Sequence, residues 1–299
     1  MRKLLPLVFP ALCAAAWLAI RTAPARAAAA DVAELLPGIP VEQLTPPQRQ
    51  TLAQVARDEY CYCGCPHTLA QCLATHRECK HAPRMAQLAA RLAGTGMPAA
   101  EIAKQLSAYY SSFEKGRRAR LDLAAFGPPQ GAEKAPVALV EFSDYACPYC
   151  QLLKPVLDDF VKGHASRVRL YYKPFPIQAH PRATEAALAG EWARDAGLFW
   201  KMYDALFAHP HELSDEDLAD RAREIGGDPT ALRAALQSGK LKARIAASQS
   251  EGRAAGMLGT PTLYFNGRRY VLADMSPSGL EFTLEDEEEW TRNGGWARD

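Results

Sequence analysis

The sequence has no surplus of charge of either sign. Lysine and arginine number 35, aspartate and glutamate 34, and the formal net charge over 299 residues is +1. A chain that grips a phosphate backbone carries a basic excess, so nucleic acid is not an expected partner. Long apolar runs are scarce as well. After residue 20 no stretch approaches the roughly 20 apolar residues that a bilayer span needs. Internal repeats are missing, and the alanine run at 27–30 is the one low-complexity tract. No C-x-x-C-H occurs, which leaves covalent haem without an anchor. Beyond residue 150 there is no cysteine at all.

The eight cysteines are therefore unevenly placed: Cys13 stands alone, Cys61, Cys63, Cys65, Cys72 and Cys79 crowd together, and Cys147 and Cys150 form a C-x-x-C. Cys13 falls in a segment with the layout of a secretory signal peptide. Met1-Arg2-Lys3 is positive, Leu4 to Ile20 is apolar though broken by Pro6 and Pro10, and Ala25-Arg26-Ala27 supplies an A-x-A cleavage pattern. The expectation is a periplasmic or secreted chain that loses residues 1–27. An uncleaved N-terminal membrane anchor is the alternative. In an oxidising compartment disulfides form and persist.

Three further regions follow. Residues 31–118 read as a small Cys-rich α-helical domain, with Met85, Leu88, Ala89 and Leu92 at i, i+3, i+4, i+7 spacing. Ile102, Leu106, Tyr109, Tyr110 and Phe113 form the apolar stripe of its last helix. Residues 119–135 read as a linker around Gly127-Pro128-Pro129-Gln130-Gly131. Residues 136–299 read as an α/β domain. Val137 to Phe142 is a short continuous apolar run, as in a buried central strand. A helix follows from Cys150 to Lys162, then a strand from Val168 to Tyr172 and a helical insertion at about 178–255. Two strands, Thr262–Phe265 and Arg269–Leu272, flank the hairpin signal Asn266-Gly267. A last helix is expected over Leu284–Arg292, its acidic first turn suiting the helix dipole.

Cys147-Pro148-Tyr149-Cys150 lies where the first strand gives way to a helix. A helix N-terminus favours negative charge, and the thiolate is the reactive form of cysteine. Cys147, near the N-cap, is the expected nucleophile; Cys150, one turn on, is the expected resolving thiol. A static disulfide is the bland alternative. Half a zinc site is the other, but it lacks a second ligand pair nearby. Glu141 is unusual in an apolar central strand, since a buried carboxylate is costly without a partner or a task. Either it reaches solvent at a strand edge or it serves the site. Lys173, at the end of the second strand, is its expected ion-pair partner, unless it is a solvated loop lysine. His164, His180, His209 and His211 show no metal-ligand spacing and read as structural, whereas His67, His76 and His81 lie among the clustered cysteines in a stretch dense in ligand-capable side chains. Trp192, Phe199, Trp200, Tyr203 and Phe207 read as core.

The run Glu141-Phe-Ser-Asp-Tyr-Ala-Cys147-Pro-Tyr-Cys150, with Pro155 five residues on, resembles a thioredoxin-fold active site. The large helical insertion resembles that of the DsbA-like thiol–disulfide oxidoreductases. Gly259-Thr260-Pro261-Thr262 is similar to that family's cis-proline loop. The resemblance, over roughly residues 136–292, implies a thioredoxin-like α/β fold and exchange of disulfides with exported polypeptides. It implies a cis peptide before Pro261, and Thr260 backbone groups that pair with a bound chain. Pro148 and Tyr149 join Thr260 and Pro261 as expected substrate-binding residues. Glu141 would relay the proton of Cys150, with Lys173 assisting. No cofactor or metal is needed for that chemistry. A membrane redox partner that resets the active-site pair is implied. Oxidase, isomerase and reductase share these residues.

The five N-terminal cysteines allow three readings. They form structural disulfides with one thiol left over, bind a thiophilic metal such as zinc or Cu(I), or relay electrons to Cys147 and Cys150. Neighbouring C-x-C pairs bridge poorly, so disulfide partners are expected to come from Cys72 and Cys79. The rival to an enzyme is a non-enzymatic assembly factor, or a copper or zinc chaperone that works through this cluster.

Overall fold

The computed structural model describes residues 32–295 apart from Arg77, and these divide into two compact units after Ser107. The expected signal segment and Cys13 lie outside the described residues. No helix among the described residues is long and apolar enough to cross a membrane.

The first unit is helical. Its helices are α1 (Pro46–Asp58), α2 (Leu69–Thr75), α3 (His81–Gly94) and most of α4 (Ala99–Ser111). Thr45 and Thr68 open α1 and α2 with capping boxes to Gln48 and Gln71. Such a box satisfies two N–H groups that the helix itself leaves without partners. The stripe Met85, Leu88, Ala89, Leu92 is buried, as are Leu52, Val55 and Ala56 of α1, the helix that α3 packs against. Gly96, at φ 84°, turns the chain out of α3 in a conformation that costs other residues more.

The second unit carries a five-stranded sheet in the order β1-β3-β2-β4-β5: β1 (Gln130–Gly131), β2 (Val137–Ser143), β3 (Val168–Pro174), β4 (Thr262–Phe265) and β5 (Arg268–Arg269). β2 and β3 are parallel, while β1 on one edge and β4 and β5 on the other run antiparallel. Every residue of β2 is buried, as its unbroken apolar run leads one to expect. Between β2 and β3 lies α5 (Pro148–Gly163). The expected insertion resolves into five helices, α6 (Ala183–Asp195), α7 (Phe199–Ala208), α8 (Asp215–Glu224), α9 (Pro229–Ser238) and α10 (Lys242–Ala254). Asn266 and Gly267 both take positive φ, 48° and 79°, as a two-residue type I′ hairpin requires. Gly267 has a second reason to be glycine: a Cβ there would meet the Ala119 carbonyl at 2.2 Å.

The last helix, α11 (Pro277–Asn293), starts a full two turns earlier than the acid-rich stretch indicates. Ser276 caps it by accepting the Gly279 N–H at 3.2 Å, and Pro277 sits at its first position. Glu285 and Asp286 thus fall mid-helix, where they cannot serve the dipole of the first turn. Asp286 accepts instead from the Tyr109 hydroxyl at 2.7 Å. Beside it, Glu287 holds Arg268 at 2.9 Å and Arg118 at 2.6 Å, with Arg268 and Glu287 both fully buried. The Arg268 guanidinium also lies 3.8 Å from the Phe113 ring centroid. Residues 119–135 are bonded into this unit as well. The Ala119 N–H donates to the Gly267 carbonyl at 2.8 Å, and Phe126 is buried beside Lys173 and Arg194.

Breaking a buried ion pair from one side strands the other charge. Glu287→Ala is expected to lower the unfolding free energy by roughly 3–5 kcal/mol in urea denaturation. An apolar exchange of all three members, Arg268→Met and Arg118→Met with Glu287→Leu, is expected to recover a large part of that loss. A Glu287→Ala variant as stable as the parent chain would contradict this.

Candidate active site

At the C-terminal end of β2 the chain turns through Asp144-Tyr145-Ala146 into α5. The buried Asp144 carboxylate fixes this turn. It accepts the N–H of Ala146 at 2.9 Å and that of Ile177 at 2.8 Å, and it pairs with His180 Nδ1 at 2.7 Å. Cys147 is the N-cap of α5, in extended conformation, and Pro148 occupies the first helical position, where no N–H is required. The Cys147 sulfur therefore sits at the positive end of a 16-residue helix. It is 3% exposed, while Pro148 and Tyr149 beside it are open to solvent.

Facing it is the Gly259-Thr260-Pro261 loop. The Thr260–Pro261 peptide is cis, and the Thr260 carbonyl lies 3.5 Å from Cys147 Sγ. Tyr149, Leu152, Val156, Pro261, Ala273 and Met275 line an apolar groove of about 340 Å³ beside this loop. Leu152 is 71% and Tyr149 72% exposed, so the groove offers uncovered apolar surface next to the thiol.

Cys150 faces inward and is fully buried. Burial pushes its thiol upward, and the negative charge of Glu141 adds to the shift. Glu141 itself is fully buried, between Tyr172 of β3 and Leu263 of β4, which overturns the strand-edge reading. Its Oε2 accepts from the Tyr203 hydroxyl of α7 at 3.2 Å. Burial raises its carboxyl from 4.5 to about 7, against a downward pull from the Ser143 and Tyr203 hydroxyls. Neither Glu141 Oε1 nor Ser143 Oγ has a partner of hydrogen-bond geometry among the described residues.

Lys173 does not pair with Glu141. In the parallel β2–β3 register Glu141 stands opposite Tyr172, and Lys173 stands opposite Phe142. Side chains alternate along a strand, so the two expected partners point to opposite faces of the sheet. Lys173 instead forms an ion pair with Glu251 of α10 and lies 4.2 Å from the Phe126 ring centroid. It is also fully buried, which excludes the solvated loop reading.

The cation on the Glu141 side is Lys154, and sequence reasoning passed over it. Its Nζ contacts Asp158 at 2.5 Å and Asp204 at 2.8 Å and lies 5.0 Å from the Tyr203 ring centroid. Both Lys154 and Asp158 act on the Glu141 carboxyl through their charge. A signal was present: Lys154 is four residues after Cys150 and Asp158 eight, so all three share one face of α5. Tyr203, read as core, is core with a polar end. The five other cysteines, Cys61, Cys63, Cys65, Cys72 and Cys79, gather within the first unit.

A C-x-x-C at a helix N-terminus, set against a cis-proline loop at the end of a central parallel strand, defines a site of thioredoxin type. Comparison with known proteins agrees. A family model described as Thioredoxin matches residues 126–286, more than half of the chain, and the chain belongs to that family. Its fold is that of the DsbA-like thiol–disulfide oxidoreductases. The crystal structure of oxidised BdbD from Bacillus subtilis matches with a TM-score of 0.52 and 22% identity, over 57% of this chain and 96% of that one. The thiol–disulfide exchange protein α-DsbA2 from Wolbachia pipientis matches with a TM-score of 0.47 and 21% identity, over 61% and 94%. Among curated proteins, Na(+)/H(+) antiporter NhaA 3 from Salinispora tropica is 36% identical over 142 residues, which are 47% of this chain. The match covers only 22% of that antiporter's length.

The raised Glu141 carboxyl makes stability depend on pH. Between about pH 4.5 and pH 7 the folded chain holds a proton that the unfolded chain has released. The stability tied to this group is therefore full below that window and is lost as pH rises through it. Glu141→Gln does not titrate. Measured by urea unfolding under reducing conditions, its stability relative to the parent chain is expected to rise across the window by up to about 3 kcal/mol. The difference should be level above it. A pH-independent difference would mean that the carboxyl titrates near its ordinary value.

Proposed function

We propose that the chain is an exported thiol–disulfide oxidoreductase that exchanges disulfides with polypeptides through Cys147 and Cys150. The observation that carries this reading is the asymmetry of the pair. Cys147 sits at a helix N-terminus against the Thr260 carbonyl, whereas Cys150 is sealed inside, within range of the Glu141 charge.

In the oxidising direction a substrate thiolate attacks Cys147 Sγ of the Cys147–Cys150 disulfide. The sulfur–sulfur bond breaks, and Cys150 leaves as a thiolate and takes a proton. A second substrate thiolate then attacks the substrate sulfur of the mixed disulfide. The substrate loses two electrons to a new disulfide, and Cys147 departs as thiolate. In the reducing direction Cys147 attacks and Cys150 resolves. A carboxyl titrating near 7 is suited to give Cys150 its proton in one direction and accept it in the other. Burial disfavours a free Cys150 thiolate, which is why it needs such a neighbour.

Pro148, Tyr149, Thr260 and Pro261 form the substrate surface in this reading. The apolar groove suits an extended, partly unfolded polypeptide, whose backbone pairs with Thr260. Exported polypeptides are the substrates, and a membrane redox partner resets the pair after each turnover. The periplasm or the exterior is the compartment in which the chemistry is useful.

Cys147→Ser is expected to bring disulfide exchange on a reduced or scrambled model protein down to the uncatalysed rate. Cys150→Ser is expected to accumulate a mixed disulfide with substrate on non-reducing gels, dispersed by dithiothreitol. Full activity in Cys147→Ser would refute the mechanism. A reduction potential measured against glutathione then gives the direction, about −120 mV for an oxidant and about −270 mV for a reductant.

A further inference from the structure

The exchange steps written above use none of the cysteines of the first unit, and the geometry of these cysteines has a different character. The chain leaves α1 into a tight loop closed by Tyr60 pairing with Thr68. The Cys61 N–H donates to the His67 carbonyl at 3.1 Å, and the Leu69 N–H to the Glu59 carbonyl at 2.8 Å. Gly64, at φ 85°, lets the loop reverse between Cys63 and Cys65. Cys72 on α2 and Cys79 just before α3 come in from the other side. The sulfurs of Cys61, Cys63, Cys72 and Cys79 all lie within 4.8 Å of one another. Cys61, Cys72 and Cys79 are buried and Cys63 is half-buried.

The spacing separates two outcomes. A disulfide brings one pair of sulfurs to about 2 Å and leaves the others at van der Waals distance. Four thiolates around one tetrahedral ion, with metal–sulfur bonds near 2.3 Å, stand about 3.8 Å apart along every edge. Here Cys61 and Cys79 are 3.8 Å apart, and so are Cys63 and Cys72. Cys65, 3.0 Å from Cys63 and 3.8 Å from Cys72, sits outside the four. His67 Nδ1 is buried in the same loop without a hydrogen-bond partner among the described residues.

We propose that Cys61, Cys63, Cys72 and Cys79 bind one Zn²⁺ as a structural tetrathiolate site. Binding releases four protons to solvent and changes no oxidation state. All four positions are taken by protein, so the site is closed and structural. Its task follows from the size of the unit: a core this small gains much from a tether joining the loop, α2 and α3.

The test is metal analysis of the full chain, purified without a histidine tag or chelator. About one zinc per chain is expected, falling below about a tenth when Cys61 and Cys72 are both changed to serine. Cys147→Ser with Cys150→Ser, and separately Cys65→Ser, are expected to keep it. Because the serine variants can unfold, the parent chain is also loaded with Co²⁺. It should show the intense near-ultraviolet sulfur-to-cobalt band of a tetrathiolate, abolished by one equivalent of Zn²⁺. Mapped disulfides among the five cysteines, with no zinc taken up after reduction, would overturn the proposal. So would copper in place of zinc, or loss of the metal in Cys65→Ser.

Discussion

One carboxylate has to be accommodated in a strand that is dry on both faces. Glu141 lies at the centre of β2, and every residue of that strand is buried. A charge there is sealed from solvent and has no ion-pair partner among the described residues, so burial makes the carboxyl hold its proton up to about pH 7. Much of the second unit is arranged around that cost. α7 brings the Tyr203 hydroxyl against Oε2, and Tyr203 is itself wedged among Tyr145, Tyr172, Phe199 and Phe207. α5 brings Lys154 and Asp158 near enough to be felt through their charge, without an ion pair to Glu141. A direct cation would have pulled the carboxyl back to its ordinary range and fixed it as an anion. What the packing leaves is a carboxyl poised between two protonation states, under a buried thiol that must change protonation at each exchange.

Strand alternation keeps this chemistry apart from the structural charges. Lys173 and Glu251, with Phe126, lie on the face of β3 opposite to Tyr172 and Glu141. Arg268, Glu287 and Arg118 form a third buried group with α11. Lys173 and Arg268 each find their carboxylate on their own side, Glu251 and Glu287, and neither is spent on Glu141. The carboxyl under Cys150 is therefore not paired with Lys173, the cation that shares the neighbouring strand, and adjacent positions on a strand can hold groups of unrelated purpose.

The same alternation explains where the sequence was readable and where it was not. Cys147 and Cys150 stand out because their meaning is local: a strand, a turn, a C-x-x-C and a helix follow one another without a gap. Glu141 stands out because it is out of character with its neighbours. Its partner is a matter of register between strands, and one residue of register decides which face Lys173 occupies. Nothing in the chain around Lys173 carries that information. Lys154 was accessible through helical spacing, but only once Glu141 was known to face α5. The start of α11 was written in Ser276-Pro277, a cap signal outweighed in the reading by the acidic run that follows. The five clustered cysteines were legible as a group and not as a geometry, since convergence of four sulfurs depends on how a loop, α2 and α3 fold together.

Two kinds of cysteine in one chain raise a problem of selectivity. An oxidoreductase accepts exposed dithiols as substrates, and a small unit with five thiols is a candidate substrate for another copy of the enzyme. Burial alone protects imperfectly, because local opening of a small core exposes its sulfurs. Thiolates committed to a closed zinc site are no longer free nucleophiles, and opening that unit then costs the metal–sulfur bonds as well. Under that reading the zinc does more than brace the fold: it keeps four sulfurs out of a reaction catalysed by two. The fifth cysteine, half-buried Cys65, stays outside the four and is the thiol of this unit that the metal would leave free to react.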